Sequence, residues 1–364
     1  MAKPSETLWK IESHTKAKHE ILRRYLGAWF AILGSTNSRI VYIDGFCGPG
    51  KYLGGEDGSP IIALNEAMNH QARLANSKIS FLFIDERDDR IAHLKSELAQ
   101  MNIPINYLVN PLVNEFENTI TNILDGIAQR GNQLAPTFAF IDPFGFKGAS
   151  FSVVQRLLGN PRTEIFINIM AEFINRFVEH PSPDVRDHIK NLLGASDSEI
   201  DQVLNSADRM LAFRQLYQDK LHEHAKFVRY FEMRDRNGRI IYYLFFAGNH
   251  PLGHVKMKEA FWKVDSQSGF AFSDETDPGQ LVMLGVFDPS ANLAALLKAR
   301  YAGTTTHSEK IISYVEDETA YLETHAKKAL FYLETRNEIS IYPNKADGKK
   351  RIKGTFPDGV IITF

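Results

Sequence analysis

Between residues 39 and 170 the chain alternates short, near-continuous apolar runs with longer amphipathic stretches. Arg39–Asp44, Ile79–Asp85, Ile105–Val109, Thr137–Asp142 and Glu164–Met170 read as strands. Ser59–Leu74, Asp88–Met101, Leu112–Arg130 and Ser152–Leu158 read as the helices between them. A strand buried on both faces has no polar alternation, and helices between such strands imply parallel pairing. The order βαβαβαβαβ therefore predicts a Rossmann-like α/β fold with a doubly wound, mostly parallel sheet. In that fold the carboxyl ends of the strands share one crevice, where ligands bind.

The remaining segments hang on this frame. Residues 13–33 predict an amphipathic helix, with Ile21, Leu22, Tyr25, Leu26, Trp29 and Phe30 at helical spacing. Lys16, Lys18, Arg23 and Arg24 fall mostly off that stripe. A charged stretch at about 171–230 breaks the alternation and predicts a helical insertion. Arg239–Ala247 and Leu281–Phe287 read as late strands around a helix at Gly253–Lys263, suited to an antiparallel edge. Residues 1–300 make one expected domain. Residues 304–364 make a second, in which helices Glu309–Glu316 and Ala320–Glu334 precede strand Ile339–Tyr342, a basic turn and strand Gly359–Phe364. That order is the order of a winged helix-turn-helix.

Composition narrows the function. A net charge of −2 argues against binding nucleic acid by bulk charge, leaving room for a local basic patch. One cysteine, Cys47, excludes intrachain disulfides and cysteine-cluster metal sites. No His, Asp and Glu set has metal-ligand spacing, so no metal is expected. The polar start of the chain and the lack of long apolar runs predict a cytoplasmic protein without membrane contact.

The strand ends carry the candidate chemistry. Asp44 precedes a loop containing Phe46, Gly48 and Gly50, where glycine lets the backbone approach a ligand. The spacing is not that of a dinucleotide fingerprint. An acid before the glycines suits a positively charged ligand group, such as the amine of S-adenosylmethionine; the alternative is an ordinary glycine-rich turn. Asp85 ends the second strand, suited to ribose hydroxyls or else to a solvated acidic turn. Asn110 ends the third, suited to an adenine amino group or a plain turn. Asp142, Pro143 and Phe144 end the fourth. There an acid can orient a target amine, proline fixes the backbone, and Phe144 or Phe146 can stack on a flat substrate. The alternative is a strand-ending turn with Phe in the core. Glu172 follows the fifth strand and either lines the entrance or lies on a solvated helix face. Lys349, Lys350 and Arg351 form part of a basic turn suited to phosphate contacts or to a solvated hairpin.

At these residues the chain resembles the class I S-adenosylmethionine-dependent methyltransferases. Asp44-x-Phe46-x-Gly48-x-Gly50 looks like the form common in nucleic-acid methyltransferases, and Gly58-Ser59-Pro60 is similar to a ribosomal RNA adenine methyltransferase family. Asp142-Pro143-Phe144-Gly145 is similar to the Asp/Asn-Pro-Pro-aromatic motif of amino-methyltransferases, departing at its third and fourth positions. A closer resemblance, over nearly the whole chain, is to the bacterial three-Cys-motif partner family. It rests on His14 to Trp29, the Gly45–Gly50 loop, Gly58-Ser59-Pro60, Ile141–Gly145, Phe246–Pro251 through Lys258, and Lys353–Asp358. That family implies a methyltransferase-like fold and a partner carrying a three-cysteine motif, similar to a radical S-adenosylmethionine or iron–sulfur protein.

The expected function is methyl transfer from S-adenosylmethionine to an amine of a nucleic acid or nucleotide-like substrate. The alternative is a non-catalytic scaffold, or nucleic-acid-binding partner, of an iron–sulfur protein, motivated by Phe144 and Gly145 in the acceptor motif.

Overall fold

The computed structural model describes residues 5–145, 148–266, 268–273, 289–342 and 350–364. Helix α1 (Ser13–Leu33) leads into β1 (Arg39–Asp44), α2 (Ser59–Asn69), α3 (Gln71–Leu74), β2 (Lys78–Asp85), α4 (Asp88–Leu98), β3 (Tyr107–Val113) and α5 (Phe116–Gln129). Then come β4 (Thr137–Ile141), α6 (Phe151–Leu158) and β5 (Thr163–Ile169). The inserted helices are α7 (Ala171–Phe177), α8 (Pro183–Leu193), α9 (Asp197–Leu204) and α10 (Arg209–His222). Strands β6 (Phe227–Arg234) and β7 (Ile240–Gly248), helix α11 (Pro251–Val264) and β8 (Ala271–Ser273) follow.

The sheet runs β3-β2-β1-β4-β5-β7-β6-β8. β1 to β5 pair in parallel, and β7 joins β5 antiparallel. The order reverses between β1 and β4, so the crevice of a doubly wound sheet opens at their carboxyl ends. The strands alternate two kinds of side chain, because successive residues point to opposite faces. Phe81 and Phe138, with the Tyr42 ring between them, meet Tyr25, Trp29 and Phe30 of α1 on one face, with Tyr25 and Phe138 centroids 4.9 Å apart. Ile43, Ala139, Ile141, Ile165 and Ile167 join Phe116 and Ile120 of α5, Val154 of α6 and the inserted helices in one apolar cluster on the other.

Several expectations change. The helix expected over Ser59–Leu74 breaks at His70 into α2 and α3. β3 starts and ends later than the apolar run at 105–109, carrying Asn110 into mid-strand opposite Leu82. β6, inside and beyond the expected insertion, has no counterpart in the sequence reading. It forms an antiparallel hairpin with β7 through the turn at Asp235, where Gly238 takes φ +74°. The expected strand Leu281–Phe287 lies outside the described residues.

A second compact unit comprises Phe261–Phe270 and Gly279–Phe364. Within it α12 (Ser290–Tyr301), β9 (Thr305–His307), α13 (Ser308–Glu318), α14 (Glu323–Thr335), β10 (Ser340–Ile341) and β11 (Ile361–Thr363) build an antiparallel sheet β10-β11-β9 under three helices. Leu293, Ala294 and Leu297 of α12 pack with Ile311, Val315, Leu330 and Ile362. The boundary therefore falls before α12, not at the linker expected after residue 300, because α12 supplies core to the smaller unit.

Candidate active site

The glycine loop leaves β1 and folds back on its neighbours. Gly45 N donates to Phe140 O at 2.9 Å and Cys47 N to Ile84 O at 2.9 Å, tying the loop to β4 and β2. Gly48 and Gly50 take φ +64° and +84°, a region that side chains with a Cβ rarely adopt. A Cβ on Gly50 would also lie 2.7 Å from Leu94 Cδ1. Phe46 packs against the core, its ring tilted 39° to the Phe116 ring at 5.6 Å, so it supports the loop rather than facing a ligand.

Asp44 is fully buried at the carboxyl end of β1. Burial raises its carboxyl to about 7, against hydrogen bonding from Ser59; nearby Asp142 and Asp85 add repulsion. Its Oδ2 accepts a long 3.5 Å contact from Tyr42, and its Oδ1 has no hydrogen-bond partner of good geometry among the described residues. A buried acceptor without a donor is costly, and a cationic ligand group would satisfy it. Asp85 ends β2 and is already engaged. It accepts Gly48 N at 3.1 Å and Arg87 N at 2.9 Å, and it lies 3.7 Å from Arg90. Asn110 is exposed in the middle of β3, away from this crevice. The residue after the true end of β3, Asn114, donates its N–H to Asp85 O instead.

Beside the loop a cavity of about 260 Å³ opens at the ends of β4 and β5. Trp9, Lys18, Tyr52, Asp142, Phe144, Asn168 and Tyr242 are among its walls. Asp142 is held from two sides: Lys18 pairs with its Oδ2, and Asn168 Nδ2 donates to its Oδ1 at 2.7 Å. Lys18 is buried, with its ammonium 5.3 Å over the Tyr242 ring. The sequence reading set it off the apolar stripe of α1. Its long stem crosses apolar surface to reach an acid on β4, a pairing that helical spacing cannot reveal. Pro143 is buried, while Phe144 is 37% exposed and meets Trp9 edge-to-face at 6.1 Å. Trp9 stacks under Arg90 at 4.7 Å and contacts Tyr52 at 5.5 Å; its carbonyl accepts Leu53 N at 3.0 Å. The residues before α1 thus form a strap across the loop. Behind the pocket His19 is neutral, its imidazole driven down to about 3 by burial and by Lys18.

Asn168, Lys18, Trp9 and Tyr242 went unread because each meets the site over long sequence distances. The one available signal was a polar Asn inside the apolar run Ile165–Ile169. Phe146 and Lys349 lie outside the described residues. Glu172 is exposed on α7 and is absent from the cavity wall. Lys350 is exposed, whereas Arg351 is a structural residue: it pairs with Glu334, donates to Thr355 O at 2.9 Å and lies 5.5 Å over Phe356. Its expected phosphate contact is replaced by this packing.

A larger cavity, about 830 Å³, is lined by Tyr25, Trp29, Arg162 and Glu164 but by none of the strand-end acids. Among the described residues no cluster of three or more His, Cys, Asp or Glu could hold a metal. None of their helices is long and apolar enough to cross a membrane.

A scan against protein-family models finds no match, and a search of curated proteins finds none either. Among solved structures the chain is similar to an O-methyltransferase from Bacillus cereus in complex with SAH. Identity is 13% and the TM-score 0.32, over 62% of this chain and 80% of that one. It is also similar to human methyltransferase-like protein 13 in complex with SAH, at 10% identity and TM-score 0.36, over 74% and 96% of the two chains. The plantazolicin methyltransferase BpumL gives 12% identity and TM-score 0.29, over 65% and 86%. At such identities and scores nothing transfers; the strand order itself defines the fold.

Proposed function

We propose that the protein transfers a methyl group from S-adenosylmethionine to an amine of a nucleic acid or nucleotide-like substrate. The observation that carries this reading is the unpartnered Oδ1 of Asp44, fully buried beside the positive-φ glycines at the reversal of strand order. Asp44 would bind the cofactor's ammonium group. Gly48 and Gly50 would allow close backbone contact, and Asp85 would meet the ribose by exchanging its bond from Gly48 N. Bound S-adenosylmethionine would supply an activated methyl group to the acceptor nitrogen, with the carbon–sulfur electron pair staying on sulfur and the acceptor's proton passing to solvent. Asp142 positions that acceptor, and Phe144 with Trp9 confines a flat ring. Most of the rate then comes from positioning.

The smaller unit is read as a winged helix that recruits nucleic acid, supported by its three helices and its sheet order β10-β11-β9. A three-cysteine-motif partner is retained on the sequence resemblance. Calorimetric titration with S-adenosylmethionine and S-adenosylhomocysteine tests the core of this proposal. Micromolar binding that disappears in Asp44→Ala, with the fold intact, is expected; unchanged affinity in that variant would remove the pocket assignment.

One observation favours the scaffold reading. Asp142 is already engaged by Lys18 and Asn168, and its motif departs from the amino-methyltransferase pattern at Phe144 and Gly145. A tight complex with the partner and no affinity for either cofactor form would establish it.

A further inference from the structure

The larger cavity, about 830 Å³, stands at the other end of the sheet from the glycine loop. Pro136 precedes β4, and Pro161 and Arg162 precede β5, so these walls lie at the amino ends of strands whose carboxyl ends form the crevice. At about 3.3 Å per residue, the path along β4 from Pro136 to Asp142 is on the order of 20 Å. A ligand in one site does not touch the other. Trp29, Ile32 and Leu33 of α1 and Leu252 of α11 add further apolar wall. Gly253 lets the first turn of α11 stand against β5, since a Cβ there would lie 1.9 Å from Glu164 Oε1. Ligand sites are typically concave spaces of roughly 300–1,000 Å³, mostly apolar, with a few convergent polar groups.

The charge of the lining is one-sided. Arg73 of α3, Arg162 and Lys256 of α11 are its basic residues, and Glu164 is its one acid. Glu164 is already spent. Its Oε2 accepts Tyr25 Oη at 2.6 Å, Trp29 also bonds to it, and burial lifts its carboxyl to about 7. A cationic ligand would therefore meet three bases and no free acid. An anion meets the reverse. Arg73 is exposed and holds no ion pair among the described residues. Arg162 donates to Asn37, one bond from a group with five donors. Lys256 pairs with Glu259 at 2.8 Å and adds only background charge. We propose that this cavity is a separate binding site for an apolar carboxylate, with a ring or acyl chain against the α1 and α11 walls and the anionic group held by Arg73 and Arg162. Guanidinium suits that task, because its planar fork matches a carboxylate. The proposal does not depend on the methyl-transfer reading.

Calorimetric titration of the full chain tests it with two matched pairs of probes: 2-naphthoate against 2-naphthol, and octanoate against 1-octanol. At least one carboxylate should bind about tenfold or more tightly than its uncharged counterpart, the worth of one hydrogen bond to a charged group. The pair that shows the difference tells a ring from a chain. In the double variant Arg73→Gln with Arg162→Gln, at two exposed positions, the ratio should collapse toward one. Affinity for the uncharged probe should stay unchanged there, which also reports that the variant folds. Ile32→Glu, which sets an acid in the apolar wall, should weaken both members of the pair. Phe144→Ala, in the wall of the smaller cavity, should change neither. Equal binding within both pairs, a ratio that survives the double variant, binding lost in Phe144→Ala, or no binding of either carboxylate at millimolar concentration overturns the proposal. No cofactor enters these titrations, so failure of the methyl-transfer reading would leave their outcome unchanged.

Discussion

Asp44 has no water-facing surface, and burial lifts its carboxyl from 3.8 to about 7. In the free chain the folded state therefore holds a proton there that the unfolded state has lost. The stability from this group is fully present below about 4 and disappears as pH rises through about 7. Binding of an ammonium ligand has the opposite sign, because it requires the carboxylate. Affinity for S-adenosylhomocysteine should fall about tenfold for each pH unit below about 7, a one-proton linkage. Asp44→Asn should bind weakly with a flat profile, and calorimetry across this range reads both. Gly50 meets a different constraint: its positive φ and the Leu94 methyl behind it both oppose a side chain. Gly50→Ala should lower stability by about 1–3 kcal/mol in urea unfolding.

Helix α1 is latched to the sheet at two acids. Lys18 pairs with Asp142 after β4, and Tyr25 Oη donates to Glu164 of β5 at 2.6 Å. Lys18→Met leaves the acid without its cation and should cost about 3–5 kcal/mol, whereas Lys18→Met with Asp142→Asn should recover much of the loss. A double-mutant cycle by chemical denaturation measures the difference. Elements of this kind set the limit of what the sequence discloses. β1, β2, β4 and β5 were legible because double-sided burial makes them continuous apolar runs. β6 was hidden because Arg229, Glu232 and Arg234 interrupt its run, and its hairpin partner β7 supplies the burial. Asp44, Asp85 and Asp142 were legible because strand ends converge in any sheet of this order. The residues that hold Asp142, on α1 and β5, were not, because their meeting depends on tertiary packing and on no local pattern. Arg351 misled for the same reason: within a basic run it reads as solvated, yet Glu334 of α14 draws it inward.

Across the whole parallel unit, two buried acids push acid stability in one direction. Glu164, like Asp44, is raised to about 7 by burial, partly offset by hydrogen bonds from Tyr25 and Trp29. Glu164→Gln should raise stability near pH 8 by on the order of 1–3 kcal/mol. It should also flatten the gain seen as pH falls from about 7 toward 4, read as a thermal midpoint at each pH. In the smaller unit, Lys350 is exposed while Arg351 is committed to packing. If nucleic acid binds there, Lys350→Gln should reduce the salt dependence of affinity by about one phosphate's worth. Arg351→Met should instead lower the melting temperature. Finally, Cys47 is the only thiol of the chain and is buried in the glycine loop, its ionisation suppressed by that burial. An alkylating reagent can reach it only when the loop lifts from β2. Because reclosing outpaces so weakly ionised a thiol, the rate of its labelling in the wild-type protein measures the fraction of time the loop stands open.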